Sequence, residues 1–230
     1  MDDFVLIHST GQSAAGWDRL ADALEARGSR AHAIDLPNDQ PNLRARDYAE
    51  IVVNAFPNLR RPIVVAHSGS GPLLPSIADA LHARRQVWLA AWVPDPDASF
   101  REDVQANLVD AFNAGWVGKD PVGDADVAIE FLYHDCGKDT IAWALATRRD
   151  FYPSAAYDER VALNRRRPSS YILATEDRTI LPGWQRRMAR ERLEVEPIEI
   201  EAGHCPNVSQ PDELAEILVN LGQTPARRVL

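Results

Sequence analysis

Residues Ile63-Val-Val-Ala-His-Ser-Gly-Ser-Gly-Pro-Leu-Leu-Pro75 run from four apolar positions into HSGSGP and out into a helix-like segment. Two serines, Ser68 and Ser70, stand two residues apart where the pattern changes. A Gly/Ser-rich turn between a strand and a helix can seat a nucleophile, cradle a phosphate or simply make a tight connection. The phosphate reading is weak, because the stretch has no GxxxxGKS/T, no GxGxxG and no nearby lysine.

Outward from this stretch, short apolar runs alternate with helical spacing. Phe4–Ile7 is a strand candidate, and Trp17, Leu20, Ala21 and Leu24 follow at i, i+3, i+4, i+7. Next come a strand over 31–36, a helix from about Tyr48 to Phe56, the strand 63–66, a helix over about 72–84 and a strand over 87–93. The rhythm resumes with a strand at 171–174, a helix at 183–191, a strand at 197–200 and a final helix at 212–221. Such alternation predicts a doubly wound α/β architecture, a mostly parallel sheet of about six strands covered on both faces. There is no internal repeat.

Residues 97–168 break the rhythm and read as mostly helical. The expected organisation is therefore a core formed by 1–96 and 169–230, with 97–168 inserted as a helical lid. This segment is under a third of the chain yet holds nine of its 17 aromatic residues. An insertion at the carboxyl edge of a parallel sheet lies where such sheets place ligands. Some of its aromatics must form the insertion's own small core; others, with Trp116, Phe131 and Trp143 as candidates, are expected to line an apolar substrate pocket.

Composition excludes several classes. With 230 residues, 45% hydrophobic and 26% charged, the chain suits one globular domain. The net charge of −9 disfavours nucleic acid and anionic membrane as partners. No run approaches the roughly 18 apolar residues of a membrane span. The N-terminus lacks a basic region before its first apolar run, which argues against a signal peptide and for a cytoplasmic protein. Cys136 and Cys205 have no metal-like spacing and make no disulfide framework. His134-Asp-Cys136 points three adjacent side chains in different directions and has no second cluster, so no metal is implied.

The residues after the predicted strands carry the chemistry. They are His8-Ser-Thr-Gly11, His67-Ser-Gly-Ser-Gly71, Val93-Pro-Asp-Pro-Asp97, Thr175-Glu-Asp-Arg178 and Glu201-Ala-Gly-His-Cys205. A serine, an acid and a histidine thus follow one another in chain order, each just past a strand. The order and the fold resemble the α/β-hydrolases, and the resemblance runs from Val5 to about Leu221. Two stretches carry it further. FVLIHSTGQSAAGWDRLADALEARGSRAHAIDLP is similar to the opening of the small plant methylesterase and hydroxynitrile lyase branch, and AGHCPNVSQPDELAEIL resembles the histidine segment of many members. The chain begins at what would be the fold's third strand.

A nucleophile elbow wants small residues two before and two after its serine, because strand and helix pack closely there. Ser68 has Ala66 and Ser70 at those positions, whereas Ser70 stands two residues later, already opening the helix. Ser68 is therefore the predicted nucleophile, although the family's flanking glycines are absent. Ser68 needs a base, and His204 matches both the topology and the family phrase. The acid that holds its tautomer is Asp177 or Glu176, with Asp95 as a minority alternative; the resemblance favours Asp177. The resemblance also implies an oxyanion hole built from the backbone N–H groups of Gly69 and Thr10. Most relatives have Gly where this chain has Ser9, which is expected to place a hydroxyl at the mouth of the site.

These parts describe a serine esterase or thioesterase acting on a small to medium apolar substrate, without metal or organic cofactor. The implied partner is a small molecule, and the protein is expected to be a monomer or homodimer. Hydroxynitrile lyases of this branch carry a lysine directly after the catalytic histidine; here that residue is Cys205, so cyanide chemistry is disfavoured. A lyase, cyclase or acyltransferase on the same scaffold remains open, as does a relative that only binds a small ligand.

Overall fold

A computed structural model describes residues 1–224 of the chain. The strands are β1 (Asp3–Ile7), β2 (Arg30–Ile34), β3 (Ile63–His67), β4 (Arg85–Leu89), β5 (Ser169–Ala174) and β6 (Ile198–Ile200). The helices are α1 (Asp18–Glu25), α2 (Ala45–Ala55), α3 (Leu74–Ala80), α4 (Phe100–Ala111), α5 (Ala125–Phe131), α6 (Lys138–Ala146), α7 (Ser154–Tyr157), α8 (Pro182–Arg192), α9 (Pro206–Ser209) and α10 (Pro211–Gln223). The six strands form one parallel sheet in the order β2-β1-β3-β4-β5-β6. This is the predicted α/β architecture. No helix among the described residues is long and apolar enough to cross a membrane.

Successive strand residues face opposite sides, and both sides are apolar. Val5, Ile7, Val64, Ala66, Trp88, Tyr171 and Leu173 pack in the core that also takes residues of α2, α3 and α8. Phe4, Leu6, Ile63, Val65, Val87, Leu89 and Ile172 pack in the other core, with residues of α1 and α10. The order reverses at β1/β3: the chain leaves β1 toward one edge and β3 toward the other. That switch point opens a crevice at the carboxyl ends of the strands.

Two predicted elements end early. The strand expected over 87–93 stops at Leu89, because Ala90 takes φ +42 and the chain turns out of the sheet. Ala91, Trp92 and Val93 are buried nonetheless; the apolar run reported burial, and burial here is beside the Ser68 turn. The helix expected over 72–84 opens with a 3-10 turn, Ser68–Leu73, and is α-helical only over Leu74–Ala80.

Helices α4–α7 lie between β4 and β5 and supply most of the roof over the strand ends. A buried ion pair ties α4 to α8. Asp103 accepts from Arg192 Nη2 at 2.9 Å and from Trp92 Nε1 at 2.7 Å, and Arg192 Nη1 also reaches the Val93 carbonyl at 2.6 Å. Asp103→Ala strands a guanidinium and an indole N–H. It is expected to destabilise by about 3 kcal/mol, the low end for breaking a buried pair because Arg192 keeps some solvent contact. The urea midpoint checks this, and an unchanged midpoint rules out the pair as a fastener of the cap.

Candidate active site

The site begins with the strained turn after β3. Ser68 takes φ +56, a left-handed conformation that costs a non-glycine residue about 1–2 kcal/mol. The surroundings hold it there. The Trp92 N–H donates to the Ser68 carbonyl at 3.1 Å, which fixes the Ser68–Gly69 peptide plane. Gly71 lies so close to the same segment that a Cβ would sit 1.9 Å from the Trp92 carbonyl oxygen. The turn thus lifts the Ser68 side chain off the sheet and opens a helix directly behind it.

His204 lies in the loop between β6 and α9, and its Nε2 is 2.7 Å from Ser68 Oγ. Its Nδ1 is 2.6 Å from Asp177 Oδ2, in the loop after β5. Asp177 is buried but richly bonded: Oδ1 accepts the N–H groups of Thr179 (2.7 Å) and Ile180 (3.1 Å), and Oδ2 accepts Gln185 Nε2 at 2.7 Å. Thr179 Oγ1 donates to Asp177 Oδ1 at 2.9 Å, so its oxygen faces His204 Nδ1, at 2.7 Å, as an acceptor. Two acceptors at Nδ1 place the imidazole proton there. Nε2 is left as the acceptor of the Ser68 hydroxyl.

The competing candidates lie elsewhere. Ser70 is fully buried, and its hydroxyl donates to the His8 carbonyl. Asp95 accepts the Asp97 N–H and faces Arg192. Glu176 meets the site through its backbone: its N–H donates to the Ala202 carbonyl at 3.0 Å.

Ser68, Gly69 and Thr10 share one cleft of about 140 Å³ with Trp92, Phe112, Trp116 and Tyr157. A Cβ on Gly69 would meet both Thr10 Cγ2 and Tyr157 Oη at 2.8 Å, so the two loops and the cap converge on this glycine. Burial pushes the Tyr157 hydroxyl well above its usual range, and it keeps its proton to donate to the Gly69 carbonyl at 2.7 Å.

Three expected pocket residues are not where the sequence suggested. Ser9 is buried below the cleft and donates to Gln12 Oε1 at 3.4 Å, so its hydroxyl is not at the mouth. Phe131 packs behind Trp116, with ring centroids 5.7 Å apart, and belongs to the wall's support. Trp143 is on α6 beneath the Arg19 guanidinium, 4.5 Å from its centroid, and packs on the small cap core. For Trp143 the reason is packing, since α5 and α6 use their apolar faces against Cys205 and Val208. The residues missed were Thr179 and Gln185 beside the acid, and Trp92, Phe100, Phe112, Tyr152 and Tyr157 on the walls. Thr179 had a signal, since an Asp with a hydroxyl residue two positions on is a turn-forming pair. Gln185 had none.

Two buried histidines brace the floor. Burial depresses His67 to about 3, and its Nε2–H donates to the His204 carbonyl at 2.8 Å. Burial likewise depresses His8 to about 4, and its Nε2 accepts the Leu36 N–H at 3.0 Å. Both are neutral when folded, whereas in the unfolded chain they take up protons below the usual value of about 6.5. Stability is therefore full above pH ~6.5 and is lost as pH falls toward the folded values, by up to about 1.4 kcal/mol per pH unit for each histidine. Urea titrations at pH 7, 6 and 5 should show this decline. A flat profile would mean that neither ring is held neutral.

Comparison with known proteins agrees with this geometry. Residues 4–217 match the alpha/beta hydrolase family. The chain is 26% identical over 254 residues to norfluorocurarine synthase 2 of a Strychnos species, covering 95% of this chain and 94% of that one. It is 26% identical over 251 residues to methylesterase 7 of Arabidopsis thaliana, covering 95% of each. The crystal structure of polyneuridine aldehyde esterase superposes with a TM-score of 0.82 at 18% identity, covering 97% of this chain and all of that one. With the family matched over nearly its whole length and this sheet beneath it, the chain belongs to the alpha/beta hydrolase family and is a hydrolytic enzyme similar to its methylesterase branch.

Proposed function

We propose that the protein is a serine esterase for small, uncharged carboxylic esters, with Ser68 as nucleophile, His204 as general base and Asp177 as its orienting acid. The observation that carries this is the unbroken Ser68–His204–Asp177 chain, 2.7 and 2.6 Å long, at the floor of an aromatic cleft. Among the described residues no charged side chain lines that cleft, which favours a neutral substrate over a polyanionic one. Its size favours a compact group next to the ester carbonyl. The methylesterase and esterase names among its relatives agree with an ester as substrate.

The geometry supports two half-reactions. Ser68 Oγ attacks the ester carbonyl carbon while His204 Nε2 takes its proton. The oxyanion is received by the N–H groups of Gly69 and Thr10, each worth roughly 3 kcal/mol when well aimed. Collapse breaks the ester C–O bond, and His204 returns the proton to the departing alcohol. Water then attacks the acyl-enzyme, again losing a proton to His204; Ser68 recovers that proton as the carboxylic acid leaves.

Cys205, where cyanide lyases of the branch have lysine, is a neutral thiol pushed well above its usual range by burial. It offers no cation for cyanide, so the hydrolase reading stands ahead of that lyase. The test is hydrolysis of p-nitrophenyl acetate and butyrate, together with labelling by a fluorophosphonate and mapping of the modified residue. Turnover with label on Ser68 is expected. A protein that neither turns over these esters nor takes the label refutes the reading.

A further inference from the structure

The cap segment His134-Asp-Cys136 has no part in the chemistry above, and its side chains do not point apart as expected: those of His134 and Asp135 converge on Gly203, and Cys136 Sγ donates to Asp135 Oδ1 at 3.8 Å. His134 Nε2–H donates to the Glu176 carbonyl at 3.1 Å. Asp135 Oδ2 accepts the Gly203 N–H at 2.6 Å. Cys136 packs in the small core that includes Cys205 and Val208. Between these contacts, the Glu176 N–H donates to the Ala202 carbonyl at 3.0 Å. The three hydrogen bonds close a ring through the cap turn, the loop after β5 and the loop after β6.

The place of this ring matters. Glu176 directly precedes Asp177, and Gly203 directly precedes His204. Strand pairing between β5 and β6 ends at Ala174 opposite Ile200, before either residue. Past that point only single backbone bonds join the two loops, Thr175 N–H to the Ile200 carbonyl and Glu176 N–H to the Ala202 carbonyl, each 3.0 Å, and Asp177 and His204 then meet at 2.6 Å. The fit at Gly203 is tight: a Cβ there would lie 2.8 Å from Asp135 Oδ1 and 2.9 Å from His134 Nε2. A bond from backbone N–H to a carboxylate is charge-assisted, hence among the stronger ways to pin a loop.

We infer that His134 and Asp135 are positioning residues of the cap that extend the β5–β6 register beyond the strand ends and so set Asp177 against His204. Neither touches the reacting atoms. The inference rests on the esterase reading for the meaning of that contact, and on the ring itself for its geometry. It also makes the cap part of the catalytic frame, because removing the bracket loosens the acid and the base relative to each other.

The experiment compares Asp135→Ala, Asp135→Asn, His134→Ala and His134→Gln with the wild type on p-nitrophenyl butyrate, with active sites titrated by fluorophosphonate. Asp135→Ala should lower kcat per titrated site by about ten- to hundredfold with KM within about twofold, as expected for small displacements of catalytic groups. The acidic limb of its pH–rate profile should move down by about half a unit, because a looser carboxylate stabilises the imidazolium less. Asp135→Asn keeps an acceptor oxygen, and His134→Gln keeps a donor, so each should recover most of the rate lost by its alanine counterpart. The inference is overturned if Asp135→Ala keeps the wild-type kcat and pH limb. It is equally overturned if the asparagine variant loses as much, or if the loss lies only in the titrated fraction. Should the wild type hydrolyse no ester, the esterase reading fails by itself. The low-field proton resonance of the His204 Nδ1–H then decides: displacement or loss in Asp135→Ala upholds the bracket, and an unchanged resonance removes it.

Discussion

Hydrolysis by Ser68→Ala is expected to fall by about ten-thousandfold or more in kcat, with the protein still folded. The size follows from the loss of the only hydroxyl among the described residues within hydrogen-bond reach of His204 Nε2, since a water in its place lacks the fixed 2.7 Å geometry. Removing the hydroxyl also relieves no packing, so the urea midpoint should stay close to wild type. Ser70→Ala is the informative partner. That hydroxyl is buried against the His8 carbonyl, and its removal leaves the carbonyl short of a partner. The variant should be less stable by about 1–3 kcal/mol yet turn over at close to the wild-type rate. The two serines therefore separate cleanly, one in rate and the other in stability. A silent Ser70→Ala beside an active Ser68→Ala would reverse the assignment of the nucleophile.

Gly71→Ala is expected to cost about 5 kcal/mol or more, at the extreme of single substitutions. Its Cβ would lie 1.9 Å from the Trp92 carbonyl oxygen and 2.9 Å from the carbonyl carbon. Both are backbone atoms and cannot rotate away. Relief requires the Ser68 turn and residues 90–93 to part, which breaks the Trp92 N–H bond to the Ser68 carbonyl and the strained φ it supports. Any protein that folds should thus also lose activity. Gly183→Ala is the control, because nothing lies within 4 Å of its Cβ position and it sits in a helix. It should be neutral or slightly stabilising, by up to about 1 kcal/mol. Urea denaturation of the two variants in parallel checks both. Equal midpoints would mean that the elbow and the segment after β4 are not packed as described.

Much of the frame was readable because its signals are local. Continuous apolar runs mark β1, β3 and β5, and i, i+3, i+4 spacing marks α1 and α10; each depends only on near neighbours in the chain. The strand–turn–helix grammar around Ser68 is equally local. Where neighbours mislead, the reading failed. Ala90–Val93 is apolar because it is buried beside Ser68, and a positive φ at Ala90 takes it out of the sheet. Trp143 and Phe131 are large and aromatic, like the cleft residues, but α6 turns Trp143 toward the cap's own core and Phe131 packs against the Trp116 ring.

The sequence by itself determined the parallel α/β sheet, the helical insertion and the Ser, Asp, His order at the strand ends. Periodicity and turn composition are properties of contiguous residues, and the fold family is carried by them. Only the tertiary structure decided that Asp177 and not Asp95 meets His204, that Ser70 is buried, that Gln185 holds the carboxylate, and that Tyr157 of the cap reaches Gly69. Those facts are contacts between segments from 8 to more than 130 residues apart, where distance and direction are set by packing and by the switch of strand order, neither of which any local pattern records.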